Sequence, residues 1–201
     1  KYILPHEVDF VGMLQEQSAA THKMVEDLHI CFTEHNHSDC VHILKDEHRT
    51  KELKNRNMEQ LLNVFITPID RESIYRAVTQ LDWITIAIKH FVQETHAYNI
   101  KDLSEYKGIF DLILEGSSSL NDGFEALGKH KSGKVPKLAD KIRDHSDKIS
   151  QVYIEEMVKL STCKDHRKMF VYREILVQLK EIGRRLNITA NTLQDIVVKM
   201  D

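Results

Sequence analysis

The amino-acid sequence predicts an all-α protein of six long antiparallel helices. Turn-forming residues are scarce, because only seven glycines and three prolines occur among the 201 residues. Charged residues make up 29% of the chain and apolar residues 41%, which suits long helices that have one polar side and one side in a core. Apolar residues also recur at alternating steps of three and four along most of the chain, the spacing of one helix face.

The first two predicted helices differ in the strength of their apolar faces. The first, from about residue 7 to about residue 34, follows a proline and has one face formed by Leu14, Ser18, Thr21, Val25, Leu28 and Phe32. A polar break with the sequence EHNHSD follows it. The second, from about residue 40 to about residue 65, is very polar in its middle, and its apolar face is clear only at Met58, Leu61, Leu62 and Phe65.

The third and fourth predicted helices have the most regular apolar spacing. The third, from about residue 71 to about residue 98, has its face at Ile74, Ala77, Leu81, Ile84, Ile88, Phe91, Thr95 and Tyr98. The fourth, from about residue 103 to about residue 127, has its face at Leu103, Tyr106, Phe110, Ile113, Ser117, Leu120, Phe124 and Leu127. This spacing predicts long helices that pack nearly antiparallel, at about 20°.

A stretch rich in glycine and lysine, GKHKSGKVP, is the best boundary along the chain and divides one predicted domain into coarse halves, 1–128 and 133–201. The fifth helix follows it to about residue 160. The sixth, from about residue 165 to about residue 200, has its face at Ile175, Leu179, Ile182, Leu186, Thr189, Leu193, Ile196 and Met200. Short connections predict that successive helices are up-and-down neighbours.

Composition argues against several classes of function. The net charge is −3, so the chain lacks the basic surplus that drives binding to nucleic acid. No apolar run approaches the roughly 20 residues that span a bilayer, and no N-terminal stretch resembles a signal peptide. The three cysteines, Cys31, Cys40 and Cys163, are too few and too odd in number for a disulfide framework, which favours a reducing, cytoplasmic compartment.

The stretch FITPIDRESI lies between two helical segments and predicts a corner. Because a residue before proline avoids helical dihedrals, we expect Thr67 to end the second helix. Two capping arrangements of the third helix are then open. In one, the Asp70 carboxylate accepts from the backbone N–H of Glu72 or Ser73. In the other, Thr67 is the cap and Pro68 is the first helical residue.

The longer segment FITPIDRESIYRAVTQLDWI resembles the F-x-TP-x-DR-x-x-I segment of the PhoU-like phosphate-transport regulators. The opening PHEVDFVGMLQEQS is similar to the start of that family, and the closest branch is the one encoded beside Pit-type low-affinity phosphate permeases. The resemblance covers most of the chain. It implies two three-helix bundles, a cytoplasmic protein without catalytic machinery or cofactor, and control of phosphate uptake through a Pit-type permease. The motif residues, to which we assign no chemistry, are Phe65, Thr67, Pro68, Asp70 and Arg71.

PhoU-like proteins often bind metals through Glu/Asp-x-x-x-Asp pairs, whose carboxylates lie side by side on a helix. Here every such pair is degenerate: Glu47 precedes Lys51, Asp82 precedes Ile86, Arg143 precedes Asp147, and Lys180 precedes Arg184. A lysine or arginine among carboxylates repels a cation and pairs with the acid itself. We therefore expect no metal, and we expect internal salt bridges in its place.

Other polar clusters favour structural interpretations over sites. Cys31, His35, His37 and Cys40 are four zinc-type ligands, but their spacing matches no standard finger and favours a polar loop. Glu26 with His29, and Asp39 with His42, are similar to the Glu-x-x-His pairs of di-iron bundles but lie near helix ends. His145 with Asp147, and Asp165 with His166, favour surface or structural pairs. The single Trp83 either fills space left by an absent metal or packs between the bundles.

These observations together predict a non-enzymatic regulator of phosphate transport that binds a membrane permease and is cytoplasmic or peripheral to the inner face of the membrane. The lysines of GKHKSGK could also contact anionic lipid or a permease loop. An apolar patch on the third or sixth helix would support a homodimer. The alternatives are a carboxylate-bridged metal enzyme and a helical scaffold with no transport role.

Overall fold

All six predicted helices are present in the computed structural model of the chain, which describes residues 8–34, 40–129 and 131–200. They span Phe10–Thr33 (α1), Cys40–Asn63 (α2), Arg71–Ala97 (α3), Lys107–Gly128 (α4), Val135–Ser161 (α5) and His166–Met200 (α6). Single 3₁₀ turns, Ser104–Tyr106 and Ser132–Lys134, precede α4 and α5. These residue ranges contain no β-strand, which confirms the predicted all-α class.

The helices form two groups of three that pack side by side. In each group the successive helices are neighbours, and the groups meet where α1 packs on α4 and α3 packs on α6. Both cross-group pairs are antiparallel. Gln15 near the start of α1 donates to the Phe124 carbonyl near the end of α4 (3.1 Å), and Lys199 at the end of α6 donates to Asp70 before α3 (2.7 Å).

This topology gives the bundle two distinct ends. One end carries the α2–α3 corner, the α4–α5 loop and the C-terminus of α6, and we call it the corner end. The opposite end carries the α3–α4 and α5–α6 connections. Helices on both sides of the boundary between the predicted halves, 1–128 and 133–201, contribute to one continuous core. The division into halves stays a prediction.

An aromatic cluster joins the two groups within this core, toward the end opposite the corner end. Phe32 of α1, Phe91 of α3 and Phe110 of α4 are all buried, and their ring centroids lie 5.1 to 6.0 Å apart. Edge-to-face pairs at such distances add to the gain from burying apolar area. The predicted apolar faces of α1, α3 and α4 therefore meet as the spacing required.

The end of α2 differs from the prediction, since the helix stops at Asn63 and not at Thr67. The Arg71 guanidinium donates to the Val64 carbonyl, which would otherwise be an unpaired acceptor beyond the helix. Of the two capping arrangements, the first is observed. Asp70 is the N-cap of α3, and its carboxylate accepts from the backbone N–H of Ser73 (3.0 Å).

The cysteines correct a second expectation. Cys31 in the last turn of α1 and Cys40 at the start of α2 form a disulfide, with Cα atoms 5.3 Å apart. The sequence analysis took the odd count of three as evidence against disulfides. A single disulfide between neighbouring helix ends needs only two cysteines, so the third does not prevent it. Cys163 is free. His35, His37 and Asp39 lie outside the described residues.

Within the residues that the structure describes, no helix combines the length and apolar character needed to cross a bilayer.

Candidate functional site

The first degenerate carboxylate lies on the face that α2 shares with α3. Glu47 of α2 accepts a hydrogen bond from the ammonium group of Lys89 on α3, at 3.0 Å, and both side chains are half-buried. Lys51, the next residue of the family spacing, is not the partner that the structure gives Glu47. The salt bridge thus joins two helices, which sequence spacing along one helix could not show.

Asp82, the second degenerate carboxylate, lies close to the same ion pair. Burial raises the pKa of Asp82, and the charge of Glu47 adds to that rise, whereas Lys54 and Lys51 oppose it. Two carboxylates and three lysines therefore face one another between α2 and α3. We call these five residues, Glu47, Lys51, Lys54, Asp82 and Lys89, the charge cluster. Its surplus of ammonium groups disfavours a bound cation.

The second-half positions do not converge in this way. Arg143 donates to Asp140 on its own helix (2.9 Å) and not to Asp147, which is exposed. Arg184 donates to Glu181 (2.7 Å). The Lys180 ammonium lies 4.6 Å from the ring centroid of Tyr153. Among the residues that the structure describes, no three His, Cys, Asp or Glu side chains are grouped to hold a metal ion. The absence of a bound metal stays a prediction.

Trp83 marks the contact between the two groups of helices. Its ring lies 4.7 Å from the Arg185 guanidinium of α6, and Arg185 also donates to Glu181 at 2.6 Å. A guanidinium over an indole face gains a cation–π interaction. Of the two interpretations of Trp83, packing between the groups is therefore the one observed.

The conspicuous His–acid pairs are structural. Glu26 lies near His22 (3.7 Å), while His29 is buried and its Nε2 lies 2.6 Å from an Asp111 oxygen on α4. Glu26 and His29 therefore contact different partners and do not act together as the Glu-x-x-His pair of a di-iron site would. Likewise, burial lowers the pKa of His145, whose nearest ion-pair partner is Glu115 of α4 and not Asp147.

At the N-terminus of α6, the Asp165 carboxylate accepts from the backbone N–H of Lys168 (3.0 Å), which is a capping role, and His166 is exposed. This pair, too, is part of a helix end.

A carboxylate pair between α1 and α2 was missed by the sequence analysis. Asp27 is buried and forms an ion pair with Lys23 one turn earlier. Burial and a hydrogen bond with Asp27 raise the pKa of Asp46 on α2 to about 6. The available signal was Lys23 and Asp27 at i, i+4 beside the apolar face of α1. The register that brings Asp46 opposite them was not visible in the sequence.

The corner motif presents apolar side chains to solvent. The relative solvent exposure of Phe65 is 102% and that of Ile66 is 86%, and Leu62 in the last turn of α2 is 80% exposed. Ile69 of the same corner is buried. The motif residues Thr67, Pro68, Asp70 and Arg71 form the turn itself. We call Leu62, Phe65 and Ile66 the apolar corner.

Comparison with solved structures defines the fold. A protein of Shewanella oneidensis MR-1, described as a PhoU-like phosphate regulatory protein, superposes with a TM-score of 0.72 over 94% of this chain and 99% of that chain, at 10% identity. A second chain from the same organism, described as a PhoU-like protein, gives a TM-score of 0.72 over the same shares, at 9% identity. The fold is therefore PhoU-like.

A sequence relative extends the likeness beyond the fold. The UPF0111 protein YkaA of Bacillus subtilis (strain 168) is 27% identical over 144 residues, which are 71% of this chain and 70% of that protein. No protein-family model matches the chain. The protein is thus a PhoU-like helical bundle with a relative in Bacillus subtilis.

Proposed function

We propose that the protein is a non-enzymatic regulator of inorganic phosphate transport, and that it acts by binding a Pit-type phosphate permease at the inner face of the membrane. The observation that carries the proposal is the corner motif FITPIDR, which resembles that of phosphate-transport regulators and stands exposed on a PhoU-like bundle. Phosphate regulation is also the description of the Shewanella protein with the same fold.

The apolar corner is the surface through which we propose that the protein reaches the membrane beside the permease. Its side chains are large, adjacent and almost fully exposed, whereas soluble monomers seldom expose contiguous apolar groups without a partner. The turn beneath them is held by the Asp70 cap and by Arg71 on the Val64 carbonyl. A contact presented on a fixed turn loses little conformational entropy when it is buried.

The charge cluster supports a regulator that works without a metal. Lys89 donates a hydrogen bond to Glu47. The positive charges of Lys54 and Lys51 act to lower the pKa of Asp82. A divalent cation would have to displace these ammonium groups before either carboxylate could bind it. The proposed mechanism is accordingly docking of a protein surface that changes permease activity.

Phosphate uptake in cells lacking the gene tests the proposal. We expect uptake of labelled phosphate to change on deletion and to be restored by the wild-type gene. A photo-crosslinking phenylalanine analogue at position 65 should capture the permease, while the same analogue at position 154, exposed on the outer face of α5, should not. Unchanged uptake would refute the regulator and leave a helical scaffold.

Elemental analysis tests the alternative of a carboxylate-bridged metal enzyme. Purified protein should contain less than stoichiometric iron, zinc and nickel. One or more equivalents of any of these metals per chain would favour that alternative.

The homodimer is also a prediction, and the molecular mass in sedimentation equilibrium tests it.

A further inference from the structure

The apolar corner is not the only exposed apolar surface at the corner end. Val198 and Met200 in the last turn of α6 are also exposed. Lys199, between them, reaches Asp70 at 2.7 Å and the Ser73 hydroxyl at 3.1 Å, so the end of α6 lies beside the start of α3. The exposed apolar side chains therefore come from two chain segments that are far apart in sequence and share one end of the bundle.

The same end carries the most basic segment of the chain. From Ala126 to Ala139 the sequence has four lysines, Lys129, Lys131, Lys134 and Lys137, and no acidic residue. Each of them is exposed, and Lys129 forms an ion pair with Glu125 at 2.7 Å. We call these four residues the lysine loop. The Asp70 carboxylate in the corner turn forms an ion pair with Lys199 at 2.7 Å.

The two surfaces lie on opposite sides of the corner end. The apolar corner follows α2, which packs on α1 and α3, whereas the lysine loop joins α4 to α5, which pack on each other and on α6. Helices of both groups thus separate the two surfaces. A partner that meets both at once must be broad, and it must combine negative charge with an apolar interior. An anionic bilayer has both properties, because its headgroups attract lysines and its acyl chains accept aromatic and branched side chains.

We infer that the corner end docks on an anionic membrane surface, with the apolar corner inserted below the headgroups and the lysine loop held against them. This inference deepens the proposed function and rests on it, since it places the regulator where a permease lies. The occupant it names is lipid. Each lysine near such a surface contributes about a fivefold gain in partitioning, and insertion of Phe65 and Ile66 contributes more.

Sedimentation with protein-free vesicles tests the inference. Wild-type protein should bind vesicles of phosphatidylglycerol mixed with phosphatidylcholine, and should bind pure phosphatidylcholine weakly. The double variant F65S/I66S should lose about tenfold or more in partitioning to the anionic vesicles. The matched control I154S/V158S removes two apolar side chains on α5, 60% and 64% exposed, and should bind as the wild type does.

The electrostatic part has its own control. K131Q/K134Q should lose about tenfold or more in binding to the anionic vesicles at low salt. K101Q/K164Q removes the same charge from exposed lysines at the opposite end and should lose little. Equal losses for the two pairs would show that net charge, and not the corner end, governs binding, and would overturn the inference.

Fluorescence reports insertion directly. In the variant F65W/W83F the only tryptophan lies on the apolar corner, and its emission should shift to the blue and be quenched by brominated lipid. The variant I154W/W83F should show neither effect. Absence of a shift for F65W/W83F would overturn the insertion.

The outcomes also separate this inference from the proposed function. If deletion alters phosphate uptake but the protein binds only membranes that contain the permease, the regulator stands and the lipid contact falls. If the protein binds protein-free vesicles and deletion leaves uptake unchanged, the lipid contact stands and the regulator falls.

Discussion

Replacement of Asp46 by asparagine is expected to stabilise the protein at alkaline pH and to have little effect in acid. Burial and the hydrogen bond with Asp27 raise the pKa of Asp46 from its ordinary value of 3.8 to about 6. A raised pKa means that the folded state favours the protonated carboxyl. The stabilising contribution is therefore fully present below pH 3.8 and is lost as pH rises through about 6.

The magnitude follows from the size of the pKa change. The full rise corresponds to about 3 kcal/mol of unfolding free energy. Asp46 is only half-buried, and screening by solvent reduces this to about 1 to 2 kcal/mol. An asparagine has no charge to desolvate beside Asp27, so Asp46→Asn should recover that amount at about pH 8, which is a rise of about 2 to 6 °C in melting temperature.

Urea unfolding of the wild type and Asp46→Asn at about pH 4, pH 6 and pH 8 is the assay. The unfolding free energies of the two proteins should be close at about pH 4 and should diverge as pH rises through the pKa. Asp147→Asn, at an exposed carboxylate on α5, is the matched control and should give no such divergence. A constant difference across the three pH values, or none at about pH 8, would refute the raised pKa of Asp46.

Three further predictions concern the charge cluster, the corner and the cysteines. Lys89→Met should cost about 1 to 2 kcal/mol in chemical unfolding, because Glu47 is left half-buried without its partner. Adding Glu47→Gln should restore at least half of the loss, and simple addition of two losses would contradict the pairing. Asp70→Ala should lower the melting temperature at neutral pH more than Asp70→Asn does, since asparagine keeps an N-cap. That deficit should shrink in acid, because the pKa of Asp70 is lowered to about 2 and its contribution, present above pH 3.8, is lost as pH falls through about 2. An equal deficit at both pH values would argue against a lowered pKa of Asp70, which the hydrogen bonds from Lys199 and Ser73 cause. Thiol titration of denatured, unreduced protein should find one thiol per chain, that of Cys163, and three thiols would contradict the disulfide.

Helix content was predictable because it depends on local periodicity. The faces that include Phe91 on α3 and Phe124 on α4 repeat at steps of three and four residues, and both residues are buried. The position of the corner was predictable for a similar reason, since the Thr67–Pro68 step acts within the chain. The end of α2 was predicted too late. The guanidinium that holds the Val64 carbonyl comes from Arg71, seven residues further on.

The pairing of charges was not predictable to the same degree. The degenerate family spacing drew attention to Glu47 and Asp82, but the partner of Glu47 is Lys89, 42 residues away on another helix. The Asp27–Asp46 pair depends in the same way on the register between α1 and α2. Both contacts follow from how antiparallel helices align, and two helices can slide past each other by one turn without changing either apolar face.

The sequence by itself determined the number of helices, their apolar faces and the corner, because each of these depends on residues a few positions apart. The tertiary structure alone decided which charges pair, that Cys31 and Cys40 meet, and that the apolar corner and the lysine loop share one end of the bundle. Those features depend on distances between helices. Such distances arise only when six amphipathic faces close on a common core.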